Sequence, residues 1–261
     1  IDLMPIINKS YKVINYYTWE ELFNLKQKKK VFSKPPILVV MAGGKGTRLR
    51  PFTNVLPKPL IPLGEKTIIE KIFDNFHEYG VKNFFLSVND KALIIKSFFR
   101  EIKVNYKLTY IEESKPLGTA GALKKIEKKV TKPFFMTNCD TLTNVNYVDM
   151  MNYHKKNKLT ITLVATKKNY KVPYGVCEVN EDGHLSKINE KISNSFLVNV
   201  GLYILDPVIF KFIPENKSFD MTDLIKVVKK NNYQVGIYPV QESEWVDIGQ
   251  WDLYKKALEK I

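Results

Sequence analysis

The sequence of 261 residues contains little cysteine, histidine or arginine, and no long apolar run. Cys139 and Cys177 are its only cysteines, too few for the disulfide scaffold of a small secreted protein, so we expect free thiols and a cytoplasmic location. No stretch approaches the roughly eighteen apolar residues of a membrane helix, so no membrane partner is expected. The histidines His77, His154 and His184 lie outside every motif described below, which disfavours catalysis by histidine.

The formal net charge of +14 raises the question of nucleic-acid binding. A nucleic-acid interface would concentrate basic residues on one face together with aromatic side chains, whereas the lysines here are spread along the whole chain. The densest clusters, Lys28 to Lys30 and Lys124 to Lys129, are typical of a linker and a solvated helix face. We therefore expect no nucleic-acid partner, although the positive potential favours anionic small molecules.

The most informative segment is MAGGKGTRLRP, from Met41 to Pro51. It follows the apolar run Ile37 to Met41, which predicts a buried parallel strand, and a strand entering a glycine-rich turn is a common phosphate site. The chain contains only three arginines, and two of them, Arg48 and Arg50, lie in this segment. Because lysine is the usual cation of this sequence, arginine here indicates a need for its planar, permanently charged fork.

The sequence continues as FTNVLPKPLIPL to Leu63. From Met41 to Leu63 the chain resembles, without a gap, the signature of the sugar-1-phosphate nucleotidyltransferases, GGxGTRLxPxT followed by PKPL. The Rossmann and Walker patterns do not match, because they require other residues at Leu49 and Gly46. Three later segments resemble further motifs of the same family in the same order: PLGTAGA from Pro116 to Ala122, NCD from Asn138 to Asp140, and WVDIG from Trp245 to Gly249.

The resemblance implies that a sugar-1-phosphate oxygen attacks the α-phosphorus of a nucleoside triphosphate and that pyrophosphate leaves. The attacking phosphate has a second pKa of about 6, so at neutral pH it is mostly a dianion and needs no protein base. Catalysis requires instead that positive groups be placed around the two polyanions. The catalytic residues implied are Arg48, Lys58 and Asp140, and Asp140 and Asp247 would bind Mg²⁺. From the sequence alone, Asp140 could instead be a helix N-cap and Asp247 a turn at a strand end.

The remaining site residues are also implied by the resemblance. The nucleotide-binding set is Ala42, Gly43, Gly44, Gly46, Thr47, Pro116, Gly118 and Thr119. The sugar-phosphate-binding set is Tyr174, Gly175, Glu190, Lys191, Asn199 and Gly201. At the second set the usual proline after the lysine is Ile192, which leaves the shape of that loop open.

The base and the sugar are less well defined. Thr119-Ala120-Gly121 resembles the guanylyltransferase branch, and we interpret Gly121 as leaving room for a purine whose edge is read by backbone groups. This favours GTP with glucosamine-1-phosphate or mannose-1-phosphate, for surface-glycan sugar biosynthesis. The same chemistry with UTP, CTP or dTTP, and a nucleotide-sugar sensor without turnover, remain alternatives.

The pattern of elements predicts an α/β fold: a Rossmann-like mixed, mainly parallel sheet with helices on both faces, plus a smaller β-rich sugar-binding part. The expected helices are Thr67 to Tyr79, Lys91 to Arg100 and about Thr119 to Lys129. The expected strands are Ile37 to Met41, Phe84 to Val88, Lys107 to Ile111, Pro133 to Thr137, Thr160 to Thr166 and Phe196 to Leu205, with a hairpin in Val176 to Ile188.

The N-terminal part has a different character. Residues 4 to 22 resemble the end of a CBS regulatory module, with Tyr11 and Asn15 where that pattern has glycine; an N-terminal hairpin and helix is the alternative. Thr18 and Glu21 form a capping-box pattern. We expect 1–25 to be such a remnant or appendage, 26–36 a linker and 37–261 the catalytic domain. Because the chain begins with Ile1, we expect a piece of a longer protein, and a homo-oligomer remains open.

Overall fold

The computed structural model describes residues 3–8, 10–18, 30–190 and 192–258. The chain folds as two compact units, with the boundary between Val31 and Phe32. In the larger unit, Phe32 donates its N–H to the carbonyl of Tyr79 and packs its ring near that of Phe135. Residues from Phe32 onward therefore pack with the larger unit.

The smaller unit contains an antiparallel hairpin of β1 (Leu3–Ile7) and β2 (Val13–Thr18). The Asn8 side chain accepts the N–H groups of Ser10 and Lys12 and so shapes the turn. Tyr11 has a φ of 58°, a conformation that favours glycine, at a position where the CBS pattern has one. The expected capping box at Glu21 and the helix after it lie outside the described residues.

In the described part of the larger unit, seven strands form one sheet in the order β14-β10-β13-β8-β3-β6-β7. All neighbouring pairs are parallel except those of β13, which is antiparallel to both β10 and β8. The mainly parallel α/β fold predicted from the sequence is therefore confirmed. The strands are β3 (Ile37–Met41), β6 (Asn83–Val88), β7 (Lys107–Glu112), β8 (Phe134–Asn138), β10 (Ile161–Lys171), β13 (Ser193–Leu205) and β14 (Val235–Val240).

Short strand pairs lie outside this sheet. They are β4 (Pro62–Leu63) with β5 (Lys66–Thr67), β9 (Thr141–Thr143) with β15 (Trp245–Asp247), and the hairpin β11 (Val176–Val179) with β12 (Leu185–Asn189). The far ends of β10 and β13 continue as a paired ribbon, Lys167–Lys171 against Ser193–Leu197, that leads to this hairpin. The ribbon and hairpin form the smaller β-rich part.

Apolar cores cover both faces of the sheet, which explains why β3 is an unbroken apolar run. Leu38 and Val40 point into one core, and Val39 and Met41 point into the other. The described α-helices are α1 (Phe52–Val55), α2 (Ile68–His77), α3 (Ala92–Glu101), α4 (Gly118–Gly121), α5 (Tyr147–Lys156), α6 (Met221–Lys230) and α7 (Trp251–Leu258). None of them is long and apolar enough to span a membrane.

The helix predicted from about Thr119 to Lys129 differs from the structure. A single α-helical turn, α4, is followed by a 3₁₀-helix over Ala122–Lys129. Its buried residues include Leu123 and Ile126, three positions apart. In a 3₁₀-helix residues three positions apart lie on the same face, so this conformation buries both while Lys125 between them stays exposed.

Candidate active site

A cavity of about 360 Å³ lies at the carboxyl ends of β3 and β8, where an open α/β sheet binds its ligands. Ala42, predicted to bind the nucleotide, is buried and does not line it. The predicted site residues that line it are Gly43, Gly44, Gly46, Thr47, Arg48, Lys58, Pro116, Gly118, Thr119 and Asp140. The structure therefore brings together segments that lie far apart in the sequence.

The glycine-rich loop packs directly on the segment that carries Lys58. Gly46 has a φ of 63°, and a Cβ built on it would lie 2.9 Å from the Lys58 Cβ. The Thr53 hydroxyl donates to the Gly46 carbonyl at 2.9 Å, which also fixes the loop. A Cβ on Gly44 would meet no atom within 4 Å, so at Gly44 the backbone borders open space that a phosphate chain can enter.

Lys58 and Asp140 form a largely buried ion pair. Their side chains are 9% and 15% exposed, and the lysine ammonium donates to Asp140 Oδ2. Asp140 lies in the turn between β8 and β9, so the alternative of a helix N-cap is wrong because a strand follows it. A lysine held on a carboxylate in this way is fixed in position for an anionic ligand.

Asp140 and Asp247 are brought together by the pairing of β9 with β15, in which Asp247 lies opposite Thr141. The Ile248 N–H donates to the Asp140 carbonyl at 2.9 Å. A Cβ built on Gly249 would lie 2.8 Å from Asp140 Oδ2 and 2.8 Å from Asp247 Oδ1, so the two carboxylates flank the same point. Asp247 also accepts the Gly249 N–H at 2.7 Å, so it makes the expected strand-end turn as well.

A second cavity adjoins the first and shares Arg48, Asn138 and Asp140 with it. Asn199 and Gly201 line this cavity, as does Asp247. The register between β10 and β13 shifts next to them, forming a bulge, and Gly201 there has a φ of 87°. A Cβ on Gly201 would lie 2.6 Å from the Asn138 amide nitrogen, so the strand approaches β8 closely at this point.

The remaining predicted sugar-site residues lie elsewhere. Tyr174, Gly175 and Glu190 are exposed next to the β11–β12 hairpin and line neither cavity. The Val172 N–H donates to the Ile192 carbonyl across the base of this hairpin. Lys191 lies outside the described residues, so the structure leaves the roles of this group as predictions.

Sequence comparison decides the family. The model of the nucleotidyl transferase family matches residues 37–261. The chain belongs to the nucleotidyl transferase family.

Curated relatives of this chain include mannose-1-phosphate guanyltransferases. Those of Yarrowia lipolytica and Saccharomyces cerevisiae are 32% and 33% identical to it over 81% of the chain. The chain spans about 60% of the length of these relatives. Among solved structures, HddC from Yersinia pseudotuberculosis is similar with a TM-score of 0.68 and 28% identity, over 86% of this chain and 99% of HddC. HddC has also been crystallised in complex with GMP-PN.

One interpretation of the sequence is wrong. Gly121 does not make room for a base, because a Cβ on it would lie 2.7 Å from the Lys217 carbonyl oxygen. The N–H groups of Ala120 and Gly121 both donate to the Phe219 carbonyl at 2.9 Å, so they are not free to read a guanine edge. The space beside Gly121 is filled by the chain itself.

Other residues at the cavities lay outside the predicted set. Asp220 accepts the Thr119 N–H at 3.0 Å and borders a further cavity with Tyr203. Ser87 and Glu113 line the main cavity at the ends of β6 and β7. The signal that could have indicated them is their place at the carboxyl ends of predicted parallel strands.

The titratable groups near the two cavities favour catalysis by positioned charges over catalysis by a cysteine nucleophile or a histidine. Burial, and secondarily the charge of Asp140, raises the pKa of the Cys139 thiol to about 12, so Cys139 stays protonated. His154 lies on α5, where it is buried and its Nδ1 is hydrogen-bonded to Thr162 Oγ1 of β10. It lines neither cavity. The observed cluster therefore suits the transfer of a phosphoryl group onto an attacking phosphate oxygen.

Proposed function

We propose that this protein forms an NDP-sugar and pyrophosphate from GTP and a sugar-1-phosphate. The observation that carries the proposal is the convergence of the glycine-rich loop, Arg48, Lys58, Asp140 and Asp247 on two adjoining cavities. Two polyanionic substrates need cations and backbone N–H groups where they meet, and this cluster supplies both. The names of the guanyltransferase relatives and the GMP-PN complex of HddC support GTP.

The two cavities divide the substrates between them. The glycine-rich loop borders the first cavity and would hold the triphosphate, while Asn199 and Gly201 border the second, where the sugar phosphate would enter. Arg48 is shared by both cavities, so its guanidinium can contact both phosphates during transfer. Lys58, fixed on Asp140, would lie against the reacting α-phosphate. The incoming phosphate dianion is already a nucleophile, so no side chain needs to accept a proton.

Asp140 and Asp247 fit a magnesium ion, because their carboxylates flank one point beside the cavity that the two substrates share. Within the described residues no third His, Cys, Asp or Glu completes a metal cluster with them. A pair is enough for Mg²⁺, which keeps waters and takes phosphate oxygens as its remaining ligands. When bound, the ion would neutralise phosphate charge at the reaction centre.

The finer assignments extend this proposal. Tyr174, Gly175, Glu190 and Lys191 would bind the sugar and its phosphate from the hairpin side. The sugar would be glucosamine-1-phosphate or mannose-1-phosphate, for surface-glycan synthesis in the cytoplasm, where the thiols of the chain remain unpaired. We also propose that 37–261 is the catalytic domain, 26–36 a linker and 1–25 the remnant of a CBS-like regulatory module.

A substrate panel tests the proposal. The protein is incubated with Mg²⁺, each of GTP, UTP, CTP and dTTP, and each of the two sugar-1-phosphates, and pyrophosphate release is measured. We expect release with GTP and one of these sugars. Release with dTTP but not with GTP would overturn the choice of nucleotide. No release with any pair, together with tight binding of a GDP-sugar, would instead identify a sensor without turnover.

A further inference from the structure

The helix α3 carries a face of apolar side chains that the described residues leave uncovered. Leu93 is 78% exposed and Ile94 is 40% exposed. A groove of about 600 Å³ lies between this face and the segment around Lys58, and its apolar lining is Leu56, Leu60, Leu93, Ile94 and Phe98. Single exposed apolar residues are normal on a protein surface, but a groove lined by several of them is typical of an interaction site.

The exposed apolar face is not the one that attaches α3 to the sheet. Ile95 and Phe99 are buried in the core and already fix the helix there. Leu93 and Ile94 are therefore additional apolar residues, which the packing of the helix on its own chain does not use. A helix that is apolar on both sides is normally covered on both sides, so this face calls for a partner.

The charges at the two ends of α3 favour a second copy of this chain as that partner. Asp90 lies just before the helix, and Arg100, the only arginine of the sequence outside the glycine-rich segment, is exposed in its last turn. Neither forms an ion pair within the part of the chain that the structure describes. If a second α3 packs on the first in the opposite direction, Arg100 of each copy comes to the end where the other carries Asp90. A face with opposite charges at its two ends is complementary to itself after a half-turn.

The middle of the face suits close packing of two such helices. Ser97 borders the groove four residues after Leu93 and four residues before Glu101, which also border it. The distance between two packed helices depends on the side chains at their contact, and a serine there lets them approach closely. In a two-fold contact the residue on the axis meets its own copy, so Ser97 would face Ser97. Leu93 of each copy would then lie along the methylene groups of Glu101 of the other.

We propose that a second copy of this chain docks on the α3 face, with the two helices antiparallel and related by a two-fold axis at Ser97. A contact made by one short helix and its groove is small, so the dimer is weak and forms only as the protein concentration rises. An anionic lipid surface fits this face less well, because the carboxylates of Asp90 and Glu101 would be repelled by it.

The docked copy would also contact the segment that carries Lys58, and this part of the inference rests on the proposed function above. Leu56 and Leu60 line the groove two residues on either side of Lys58. The start of α3 is joined to the glycine-rich loop as well, because Lys91 donates to the Thr53 carbonyl and the Thr53 hydroxyl donates to the loop. A partner in the groove would therefore hold both segments in place, and the dimer would be the more active form.

Sedimentation velocity of the full chain over a wide range of concentrations tests the dimer. We expect the unmodified protein to change from monomer to dimer as its concentration rises. Leu93→Glu places a charge on the face and should keep the protein monomeric throughout. Leu185→Glu changes an exposed leucine of β12, so as the matched control it should associate like the unmodified protein. An unmodified protein that stays monomeric, or equal association in all three proteins, would overturn the proposal.

Charge reversal tests the direction of the two helices. Arg100→Glu should weaken the dimer about tenfold, because the new carboxylate comes to the end where the other copy carries Asp90. Adding Asp90→Arg to this variant restores opposite charges at the two ends and should recover most of the affinity. A double variant that associates no better than Arg100→Glu alone would show that the helices are not antiparallel.

A cross-link tests the position of the axis. Ser97→Cys is made in a Cys177→Ser background, which removes the exposed thiol of the chain, and the protein is oxidised and run on a non-reducing gel. Two cysteines that meet on the axis come within disulfide distance, so we expect a covalent dimer. Ser243→Cys in the same background places an exposed thiol elsewhere and should remain monomeric. Equal cross-linking of the two variants would place the axis elsewhere and overturn the arrangement.

Pyrophosphate release per chain tests the contact with the Lys58 segment. For the unmodified protein and Leu185→Glu it should rise several-fold over the concentrations at which the dimer forms, and for Leu93→Glu it should stay at the lower value. A turnover per chain that does not change with concentration would show that the dimer forms without affecting Lys58. If none of the proteins releases pyrophosphate, the proposed function has failed, whereas the sedimentation and cross-linking results would still decide whether the dimer exists.

Discussion

The carboxylates of Asp140 and Asp247 approach the same face of Gly249, each 2.8 Å from the position that a Cβ on that residue would occupy. The contact requires a glycine, since a methyl group there would push one carboxylate away. Asp140 immediately precedes β9, and Asp247 is the last residue of β15, which pairs with β9. The geometry of the proposed metal site therefore depends on a residue that binds nothing itself.

Gly249→Ala tests this dependence. The methyl group should separate the carboxylates, so the Mg²⁺ concentration giving half-maximal turnover should rise about tenfold or more, and Asp247→Asn should raise it similarly. The measurement is a magnesium titration of pyrophosphate release. Asp252→Asn, which removes an exposed carboxylate from α7, is the control and should leave the titration unchanged. A normal titration in both Gly249→Ala and Asp247→Asn would remove Asp247 from the metal site.

Arg48→Lys should lower kcat about a hundredfold while the protein stays folded. A lysine keeps the charge but cannot contact two phosphates with a planar fork, and Arg48 borders both cavities. Arg50→Lys is the matched control, because Arg50 is exposed in the same loop and borders neither cavity. Steady-state kinetics of the two variants should differ in kcat. An equal loss in both would mean that the loop as a whole is disturbed, and an unchanged kcat in Arg48→Lys would mean that charge alone is sufficient at that position.

Asp220→Ala should raise the KM for GTP several-fold with little change in kcat. Asp220 accepts the Thr119 N–H and so holds the turn that lines the cavity proposed for the nucleotide. Asp223→Ala is the control. It removes a carboxylate on α6 that pairs with Lys226 at the surface, so KM should be unchanged. If KM is unchanged in Asp220→Ala as well, the turn holds its shape without this contact.

Gly201→Ala should destabilise the protein more than Gly183→Ala. Both glycines have positive φ, 87° and 78°, so an alanine at either costs about 1 kcal/mol of backbone strain. At Gly201 the new Cβ also meets the Asn138 amide at 2.6 Å, whereas at Gly183 it meets nothing within 4 Å. Urea unfolding should therefore show an additional loss of about 1–3 kcal/mol for Gly201→Ala. Equal losses would show that the strand adjusts freely.

Stability should fall as the pH is lowered from about 6.5 to 4. Burial lowers the pKa of His154 to about 4, against about 6.5 in the unfolded chain, so over this range the unfolded state binds the extra proton. The stability contributed by neutral His154 is complete above about pH 6.5, and at most about 3 kcal/mol is lost by pH 4. Unfolding free energies measured in urea across this range should depend less on pH in His154→Gln. The exposed His184→Gln should behave like the unmodified protein, and an equal pH dependence in all three would contradict this role of His154.

The sheet and the glycine-rich loop could be predicted because their signals are local. Strand β3 is apolar on both faces, and the loop after it carries its glycines and Arg48 in one short segment. The helix α2 has a complete capping box between Thr67 and Glu70, which marks its start in the sequence.

The contacts between distant segments could not be predicted from spacing. Asp140 and Asp247 meet through a strand pair, and only the family resemblance suggested that they act together. Gly121 was misinterpreted because the sequence does not show that the chain near Lys217 packs against it. Glu113 was overlooked because a carboxylate at a strand end becomes informative only once its neighbours are known.

The most direct measurement follows the reaction by ³¹P nuclear magnetic resonance, with GTP, Mg²⁺ and the preferred sugar-1-phosphate. We expect the three GTP signals and the sugar phosphate signal to be replaced by pyrophosphate and the coupled pair of a GDP-sugar. We also expect that the Asp140→Asn variant forms neither pyrophosphate nor the GDP-sugar. Formation of inorganic phosphate and GDP, with the sugar-1-phosphate unchanged, would mean cleavage at the γ-phosphate and would contradict the proposed reaction.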